Sequence, residues 1–292
     1  MSPPLDKVVN VSRPLRIASV NVNGIRAAYR KGMGEWVASR DIDILAMQEV
    51  RAEADDIVAL LGDEWDLLHD PATAKGRAGV ALASRRKADV HRVDLHRLQL
   101  GDDDFDSAGR WLEADYDVDG TLVTVVSTYV HSGVAETPKQ VEKFRFLDAM
   151  EARLPKLAAH NPLSVVVGDL NVGHRTLDIK NWKGNVKRAG FLPAERAYFD
   201  RFVGAEDDAA YNAGAGLGWV DLHRRFSGDV AGPYSWWSNM GQAFDNDSGW
   251  RIDYQLAAPA LAAKAVAYAI DRAPSYAERW SDHAPVVVDY QL

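Results

Sequence analysis

The stretch LSVVVGDLNV at residues 163–172 places an apolar, valine-rich run directly before Gly168, Asp169 and Asn171. A short β-branched run that ends at a turn-forming glycine is typical of a β-strand. Polar side chains at strand ends are common functional groups in α/β folds, because loops there converge without disturbing the core. The stretch predicts a strand that carries a carboxylate and an amide to one edge of a sheet, although a simple turn would account for Gly168 and Asp169 alone.

Strand-like segments of similar composition recur along the rest of the chain. They are Leu15–Val22, Ile42–Met47, Gly79–Ala83, Trp111–Val118, Leu122–Val130, Ile252–Ala257, Ala265–Ile270 and Pro285–Tyr290. Many strands without strict helix alternation favour packed sheets that carry helices on their outer faces. We therefore predict a single α/β domain.

Helical patterns lie between some of these strands. The clearest begins at Thr137-Pro138, where an N-cap residue precedes proline at the first helical position. Its apolar stripe has three- and four-residue spacing and comprises Val141, Phe144, Leu147, Met150, Leu154 and Leu157. Two further helices are predicted, one from Asp55 or Asp56 and one over roughly Pro193 to Phe202.

The composition is that of an ordinary globular protein and excludes several classes. The chain has 292 residues, of which 47% are hydrophobic and 26% charged, so it is not a disordered polymer. It contains no cysteine, which excludes disulfides, thiolate zinc sites and a cysteine nucleophile. The apolar stretch Leu256–Ile270 is interrupted by Lys264 and is shorter than the ~20 residues of a membrane span. The opening residues lack a signal-peptide pattern, so we expect a cytoplasmic protein.

The net charge of −8 argues against a polyanionic partner, but the charge is unevenly distributed. Residues 101–119 hold eight acidic residues and one basic residue, whereas residues 174–196 hold six basic and two acidic. Residues 26–40 are also basic. An acidic protein can present such a basic face to phosphate groups, although solvated and mutually balanced charges remain the simpler interpretation of either segment alone.

Polar residues of one chemical kind follow several predicted strands. They are Asn21, Gln48-Glu49, Tyr129, His131, Asp169, Asn171 and Ser281-Asp282-His283. Carboxylate and amide oxygens from separate strands suit a hard cation such as Mg²⁺ or Mn²⁺. A neighbouring histidine would stabilise charge on a phosphoryl group or move a proton. Each motif alone is weak evidence, and the argument depends on their combination and order.

In combination, these segments resemble the exonuclease III family of AP endonucleases, within the larger endonuclease/exonuclease/phosphatase superfamily. The matching segments are residues 19–26 (SVNVNGIR), 45–49 (LAMQE), 127–130 (STYV), 167–172 (VGDLNV), 185–196 (NVKRAGFLPAER), 234–237 (YSWW), 249–254 (GWRIDY) and 281–285 (SDHAP). The Gln-Glu, Gly-Asp-Leu-Asn and Ser-Asp-His motifs occur throughout the superfamily. The AGFLPAER and GWRIDY segments are more specific to its DNA-repair branch.

The resemblance implies a fold, an activity and a partner. The fold is a four-layered α/β sandwich, with two mixed sheets face to face and helices outside, spanning residues 15–292 after an N-terminal extension of residues 1–14. The activity is Mg²⁺-dependent hydrolysis of the DNA phosphodiester on the 5′ side of an abasic site, with 3′–5′ exonuclease and 3′-phosphodiesterase activities. The partner is double-stranded DNA with abasic sites or 3′ ends. We expect a monomer that does not bind membranes.

The resemblance also implies roles for individual residues. Glu49 is the main metal ligand, with Asn21 and Asp282 near it, and Mn²⁺ is an acceptable substitute for Mg²⁺. Asp169 deprotonates or orients the attacking water, and Asn171 fixes the position of that water.

The remaining catalytic roles concern the phosphate. His283 hydrogen-bonds a non-bridging phosphate oxygen and is held by Asp253 through its other ring nitrogen. Tyr129 lies against the scissile phosphate. These three groups would stabilise charge on the phosphate oxygens.

Substrate binding is assigned to aromatic and basic residues. By resemblance, Trp236, Trp250 and Ile252 form the wall of a pocket for an extruded abasic sugar, whereas we expect Trp237 in the core. Strand alternation puts Trp250 and Ile252 on one face and Arg251 and Asp253 on the other. Asp253 would then have to reach His283 from the face opposite the pocket, which a bulge or the end of the strand would allow. The basic residues expected to bind DNA phosphates are Lys183, Lys187 and Arg188.

Two departures from the family pattern leave alternatives open. Asn23 stands where some members have aspartate, and His131-Ser132 stands where many have Pro-Asn. One alternative is a phosphatase or phosphodiesterase of the same superfamily with a substrate other than DNA. The other is a non-catalytic DNA- or protein-binding relative, although the acidic and histidine residues of the motifs are all present.

Overall fold

Two mixed β-sheets of six strands each form the centre of the molecule in the computed structural model, which describes residues 13–74, 76–85, 90–96, 108–205 and 207–292. Most of the predicted N-terminal extension and residues 101–107 of the acidic segment lie outside the described residues. The first sheet has the order β11-β12-β1-β2-β4-β3, with β1 (Leu15–Asn21), β2 (Ile44–Gln48), β3 (Trp65–Asp70), β4 (Val80–Arg85), β11 (Ala265–Ile270) and β12 (Val286–Tyr290). The second has the order β5-β6-β7-β8-β10-β9, with β5 (Val90–His96), β6 (Trp111–Val118), β7 (Thr121–Tyr129), β8 (Ser164–Asp169), β9 (Val220–Asp221) and β10 (Asp253–Ala257).

The described helices are α1 (Ile25–Arg30), α2 (Met33–Ser39), α3 (Ala54–Leu61), α4 (Pro138–His160), α5 (Pro193–Val203), α6 (Leu222–Ser227) and α7 (Pro259–Ala262). Helices α1 to α5 cover the outer faces of the sheets, whereas the short helices α6 and α7 contribute to the apolar cluster between them. One apolar cluster joins residues of both sheets, including Ile17 and Val165. A second packs α4 and α5 against the second sheet, and a third packs α1 to α3 against the first. The predicted four-layered α/β sandwich is therefore confirmed.

Strand pairing brings separated parts of the chain to one edge. In the first sheet, β1 runs parallel to β2, which sets Asn21 beside Gln48. In the second sheet, β7 runs parallel to β8, which sets Tyr129 beside Asp169. Strand β10 is antiparallel to β8, so that its first residue, Asp253, pairs with Asp169. The predicted polar strand ends thus meet at the same edge of the two facing sheets.

The strands predicted from sequence all form, with ends shifted by at most two residues. Helices α3, α4 and α5 also form where they were predicted, and Thr137 occupies the N-cap position of α4, without a capping side-chain hydrogen bond, before Pro138 at the first helical position. The sequence patterns missed β3, β5 and β9.

The buried face of α4 differs from the predicted stripe in its first two turns. Val141 is 60% exposed, and the buried residues there are Gln140 and Lys143. The prediction of Val141 as a core position is wrong because a carboxylate from α5 draws a lysine inward at this end of the helix. From Leu147 to Leu157 the predicted stripe is buried. Within the described residues, no helix has the length and apolar character that crossing a membrane requires.

Candidate active site

The backbone turns sharply where each polar strand end enters the site. Asn23, Glu49 and Asn171 all have φ close to +50°, a left-handed conformation that is uncommon outside glycine. Gly168 has φ +146°, and a Cβ atom there would lie 1.9 Å from the carbonyl oxygen of Thr128 on the neighbouring strand. The glycine of the Gly-Asp-Leu-Asn motif is therefore required by the close approach of β7. Clustered backbone strain of this kind is a feature of functional sites.

Asn21 joins the two sheets at the centre of the site. Its Nδ2 group donates hydrogen bonds to Glu49 Oε1 and to Asp169 Oδ2, both at 2.9 Å. Its Oδ1 atom accepts the backbone N–H of Asn23 at 3.0 Å. A fully buried amide thus holds two carboxylates from different sheets close together.

Glu49 is ionised and only 14% of its side chain is exposed. Burial alone would raise its pKa, but the hydrogen bond from Asn21, the charge of Arg51 and a hydrogen bond from Tyr129 outweigh burial and lower the pKa. Arg51 forms an ion pair with Glu49 and was not predicted as a site residue.

Asp169 is buried and accepts several hydrogen bonds. Its Oδ1 atom accepts the backbone N–H of Asn171 at 2.9 Å, and its Oδ2 atom accepts Nδ2 of Asn171 at 3.2 Å. Burial raises the pKa of Asp169 to about 7, and the negative charge of Asp253 adds to that effect against the opposing charge of His283. A carboxylate with a pKa near neutrality is suited to accept a proton.

His283 lies between two aspartates. Its Nδ1 atom is 2.9 Å from Asp253 Oδ2, and its Nε2 atom is 3.7 Å from Asp169 Oδ2. Burial lowers the pKa of His283, but the charges of Asp253 and Asp169 outweigh burial and raise the pKa to about 10. The side chain is therefore an imidazolium at neutral pH, held through Nδ1 and offering Nε2–H to the site.

Asp282 is held by two donors. Asn23 Nδ2 donates to its Oδ1 atom at 2.8 Å, and the indole Nε1 of Trp236 donates to its Oδ2 atom at 3.1 Å. Burial would raise the pKa of Asp282, but the charge of His283 and these two hydrogen bonds lower it. Asp282 is thus ionised and fixed beside the imidazolium.

The donor set fits a hard cation. Glu49 and Asp282 are ionised, and Asn21 adds an amide oxygen, which is the oxygen-rich chemistry that Mg²⁺ prefers. Asp169, Asp253 and His283 also place one potential ligand atom each within 4.8 Å of one another. That triad is a poor cation site, because Nδ1 of His283 is bonded to Asp253 and a protonated imidazole has no free lone pair.

Arg110 is a site residue that the sequence patterns did not indicate. Its guanidinium lies 4.8 Å from the ring centroid of Tyr129, and Nη1 donates to the Tyr129 carbonyl at 3.3 Å. Arg110 is the single basic residue of the acidic segment 101–119, which was the available signal. It adds positive charge beside the Tyr129 hydroxyl, whose pKa burial and the neighbouring carboxylates of Glu49 and Asp169 raise.

Trp236 and Trp250 lie beside His283 and are both half-buried. Their rings are perpendicular with centroids 6.0 Å apart, and the Trp236 ring is 6.4 Å from that of His283. Ile252 is 4% exposed, and Trp237 is in the core as predicted, at 1%.

Regular alternation does not extend across residues 250–253, because the end of the strand lies here, as one of the two predicted alternatives has it. The strand begins only at Asp253, and the consecutive N–H groups of Ile252 and Asp253 both donate to Ser235 Oγ, at 3.2 and 3.1 Å. Consecutive amides of a regular strand point to opposite sides, so the backbone is irregular here. Asp253 consequently reaches His283, whereas Arg251 is buried against Asp178.

Lys183, Lys187 and Arg188 are exposed, and among the described residues none of them forms an ion pair. Their segment is anchored beside Trp250, because Ile179 pairs with Trp250 and the N–H of Lys180 donates to the Gly249 carbonyl at 3.1 Å. The basic segment is therefore continuous with the tryptophan surface.

The contacts of His131 and Ser132, the pair that departs from the family pattern, are with helix α4 and do not indicate a direct catalytic role. His131 is 9% exposed, with Nε2 at 3.0 Å from Glu142 on α4 and its ring edge-on to Phe146. Ser132 is exposed, and its backbone carbonyl accepts a hydrogen bond from Lys143 at 3.3 Å.

The fold and the arrangement of these side chains define a class of protein, and the chain belongs to the Endonuclease/Exonuclease/phosphatase family, whose sequence model matches residues 18–283. An exodeoxyribonuclease of Bacillus subtilis is 30% identical, covering 93% of this chain and 98% of that protein. The DNA repair nuclease APEX1 of Danio rerio is 32% identical, covering 85% of this chain and 74% of that protein. The structure of an AP endonuclease from Archaeoglobus fulgidus matches with a TM-score of 0.78 at 26% identity, covering 95% of this chain and 100% of that one.

Proposed function

We propose that this protein is a Mg²⁺-dependent DNA-repair nuclease that hydrolyses the phosphodiester 5′ to an abasic site and also removes nucleotides from 3′ ends. The observation that carries the proposal is a connected polar array beside two half-buried tryptophans, in which Asn21 hydrogen-bonds both Glu49 and Asp169, and Asp253 holds His283 with its Nε2 atom 3.7 Å from Asp169. The similarity to named exodeoxyribonucleases and AP endonucleases supports DNA as the substrate.

The metal would be held by Glu49, with Asp282 and the amide oxygen of Asn21. When bound, Mg²⁺ supplies charge neutralisation at the phosphate oxygens. The protein itself keeps these ligands ionised and in place, Glu49 through Asn21 and Arg51, and Asp282 through Asn23 and Trp236.

Asp169 accepts the proton of the attacking water. Its raised pKa gives it the basicity for this step at neutral pH. Asn171 donates through Nδ2 to the Val130 carbonyl at 3.0 Å and to Asp169, so the atom that it offers to the water is the acceptor Oδ1. The water is thus directed by two acceptors that are bonded to each other.

His283 donates Nε2–H to a non-bridging phosphate oxygen. Asp253, itself bonded at 2.6 Å to Ser235 Oγ, fixes the orientation of the imidazolium. Tyr129, beside Asp169 in the sheet, places its hydroxyl against the same phosphate. Prepositioned donors of this kind stabilise developing charge without reorganisation.

The test is incubation of the purified protein with a duplex that carries one abasic site, in Mg²⁺ and in chelator. Mg²⁺-dependent incision that leaves a 3′-hydroxyl is expected. Binding without incision would support a non-catalytic relative, and turnover of an inositol phosphate without incision would support a phosphatase of the same family.

Trp250→Ala should reduce incision at abasic sites at least tenfold more than 3′–5′ exonuclease activity on ordinary ends. A flipped abasic sugar needs an apolar wall, and extrusion is least costly where no base is stacked. The measurement is the ratio of the two rates on matched duplexes, with Trp36→Ala as a control at a half-buried tryptophan that packs against Trp280. Equal loss of both activities, or unfolding in a thermal melt, would assign Trp250 to packing alone.

Replacing Lys183, Lys187 and Arg188 together by Ala should flatten the dependence of duplex affinity on salt. Each phosphate contact that is lost reduces the number of counterions released when DNA binds. The magnitude of the slope of log K against log salt should therefore decrease by about 1 to 3. The control removes the same charge from exposed residues elsewhere, Lys139, Lys156 and Arg225. An identical slope in both triple variants would place the basic segment away from DNA.

A further inference from the structure

A buried ion pair lies directly behind the candidate active site. Lys143 of α4 and Glu195 of α5 are both 0% exposed, and Nζ lies 2.6 Å from Glu195 Oε1. Lysine and glutamate are almost never buried completely unless they are paired. No catalytic step proposed above uses either residue.

The ammonium group of Lys143 also donates hydrogen bonds to backbone carbonyl oxygens at the site. Its Nζ group donates to the carbonyl oxygen of Asn171 at 2.8 Å and to that of Ser132 at 3.3 Å. An ammonium group has three protons, and these two carbonyls with Glu195 account for all of them. The lysine thus fixes the residue that is proposed to orient the water.

Glu195 extends the connection to the substrate side. Its Oε2 atom accepts the N–H groups of Gly190 and Leu192 at 2.7 and 2.9 Å, and its Oε1 atom also accepts Gln140 Nε2 at 2.9 Å. A Cβ atom on Gly190 would lie 2.9 Å from the Trp250 ring and 3.2 Å from the Asn171 carbonyl oxygen. The glutamate therefore holds the point where the end of the basic segment, Trp250 and the Asn171 loop meet.

Stability alone is a poor reason for this pair. Burying two charges costs desolvation that their attraction only partly offsets, and apolar replacement of buried pairs is often neutral or stabilising. What apolar side chains would not supply is directional bonding to the Asn171 carbonyl and the Gly190 amide.

We propose that Lys143 and Glu195 are a positioning pair that sets the water-orienting loop at Asn171 against the substrate wall at Trp250. The proposal rests on the function proposed above. Its consequence is that loss of the pair lowers the rate of the chemical step and leaves the affinity for DNA unchanged.

The main test is the double variant Lys143→Met/Glu195→Gln, which removes both charges together. The side-chain oxygen of the glutamine introduced at position 195 can still accept the N–H groups of Gly190 and Leu192. The NH₂ group of the same glutamine can donate to Gln140 Oε1 once the side-chain amide of Gln140 has rotated. Gln140 Oε1 has no hydrogen-bond partner among the described residues of the wild type. The variant therefore avoids an unpaired buried charge, and the backbone carbonyls of Asn171 and Ser132 lose the lysine as their donor.

The single-turnover rate on an abasic duplex, at saturating enzyme, should fall by about 10- to 100-fold, because small displacements of reacting groups have effects of this size. The dissociation constant for the duplex should stay within about threefold of the wild type. Amide hydrogen exchange should accelerate at residues 171–173 and 190–192, a readout that does not depend on activity.

Arg153→Met/Glu113→Gln is the matched control, because it removes both charges of another ion pair that α4 makes with a buried glutamate. Arg153 donates to both carboxylate oxygens of Glu113, at 2.9 and 2.6 Å, and no hydrogen bond among the described residues joins it to the Asn171 loop. We expect a comparable change in melting temperature but a single-turnover rate within about twofold of the wild type. Equal rate losses in the control and in Lys143→Met/Glu195→Gln, or a wild-type rate in the latter, would overturn the positioning proposal.

The charge-conserving variant Glu195→Asp keeps the test decisive if the double variant melts below the assay temperature. The shorter carboxylate cannot reach both Lys143 and the two amides, so the same rate loss at unchanged affinity is expected, and a wild-type rate would overturn the proposal. Absence of incision by the wild-type protein would instead refute the proposed function, so the two failures are distinguishable.

Discussion

Asp169→Asn should lower the single-turnover rate of cleavage at an abasic site by about 10²- to 10⁴-fold, the usual contribution of a general base. Affinity for the abasic duplex should remain within a few-fold of the wild type, because Asp169 is almost fully buried. An amide at this position is nearly isosteric but cannot accept the proton of the water. A rate within a few-fold of the wild type would show that Asp169 is not the base.

Two further measurements separate the loss of a base from damage to the fold. Both carboxylate oxygens of Asp169 accept N–H groups, so an amide NH₂ would face one of these donors and lower stability by about 1–3 kcal/mol. A thermal melt measures that loss. Burial holds the pKa of Asp169 above its usual range, so the wild-type rate should fall as pH decreases through that pKa. The residual rate of Asp169→Asn should not show this decrease at acidic pH.

The architecture was predictable because the sequence repeats one pattern, an apolar run that ends on a polar residue. Parallel pairing of β1 with β2 and of β7 with β8 then brings the ends of those runs to one edge. The strands that were missed lack the pattern, as in Trp65–Asp70, where acidic and histidine residues interrupt the apolar ones. Strand β9 has only two residues and is too short to leave a periodic signal.

The side chains that were missed share a physical reason. Arg51, Arg110, Lys143 and Glu195 are charged residues that the structure pairs or buries, and a periodic pattern assigns such residues to the surface. Burial of Lys143 depends on Glu195, which is far along the chain and on another helix. Long-range charge pairing of this kind has no local signature in the sequence. The exposure of Val141, which the apolar stripe places on the core face, therefore could not be predicted.

Asn23 illustrates how a departure from the family pattern is accommodated. Its Nδ2 group donates to Asp282 at 2.8 Å, a distance at which a second carboxylate would repel the first. The amide therefore holds Asp282 ionised without help from a cation. With asparagine in place of aspartate at position 23, the proposed Mg²⁺ site has one carboxylate fewer, and Glu49 contributes a larger share of the remaining negative charge. Removal of the Glu49 charge should therefore have a correspondingly large effect.

Glu49→Gln should raise the Mg²⁺ concentration for half-maximal cleavage by at least about tenfold, with partial recovery of the rate at high Mg²⁺. Loss of groups that merely support a metal ligand weakens metal binding by about 10–100-fold, so loss of the ligand charge should do no less. The substitution also leaves Arg51 without its partner, which adds uncompensated positive charge beside the site.

Binding of Mg²⁺ should raise the melting temperature of the wild-type protein, and the same change should abolish that increase, a measurement that needs no substrate. Glu53→Gln is the matched control, because it makes the same chemical change at an exposed acid close in sequence to Glu49. Its Mg²⁺ dependence should equal that of the wild type in both assays. If Glu49→Gln keeps a wild-type Mg²⁺ dependence in rate and in melting temperature, Glu49 is not a ligand.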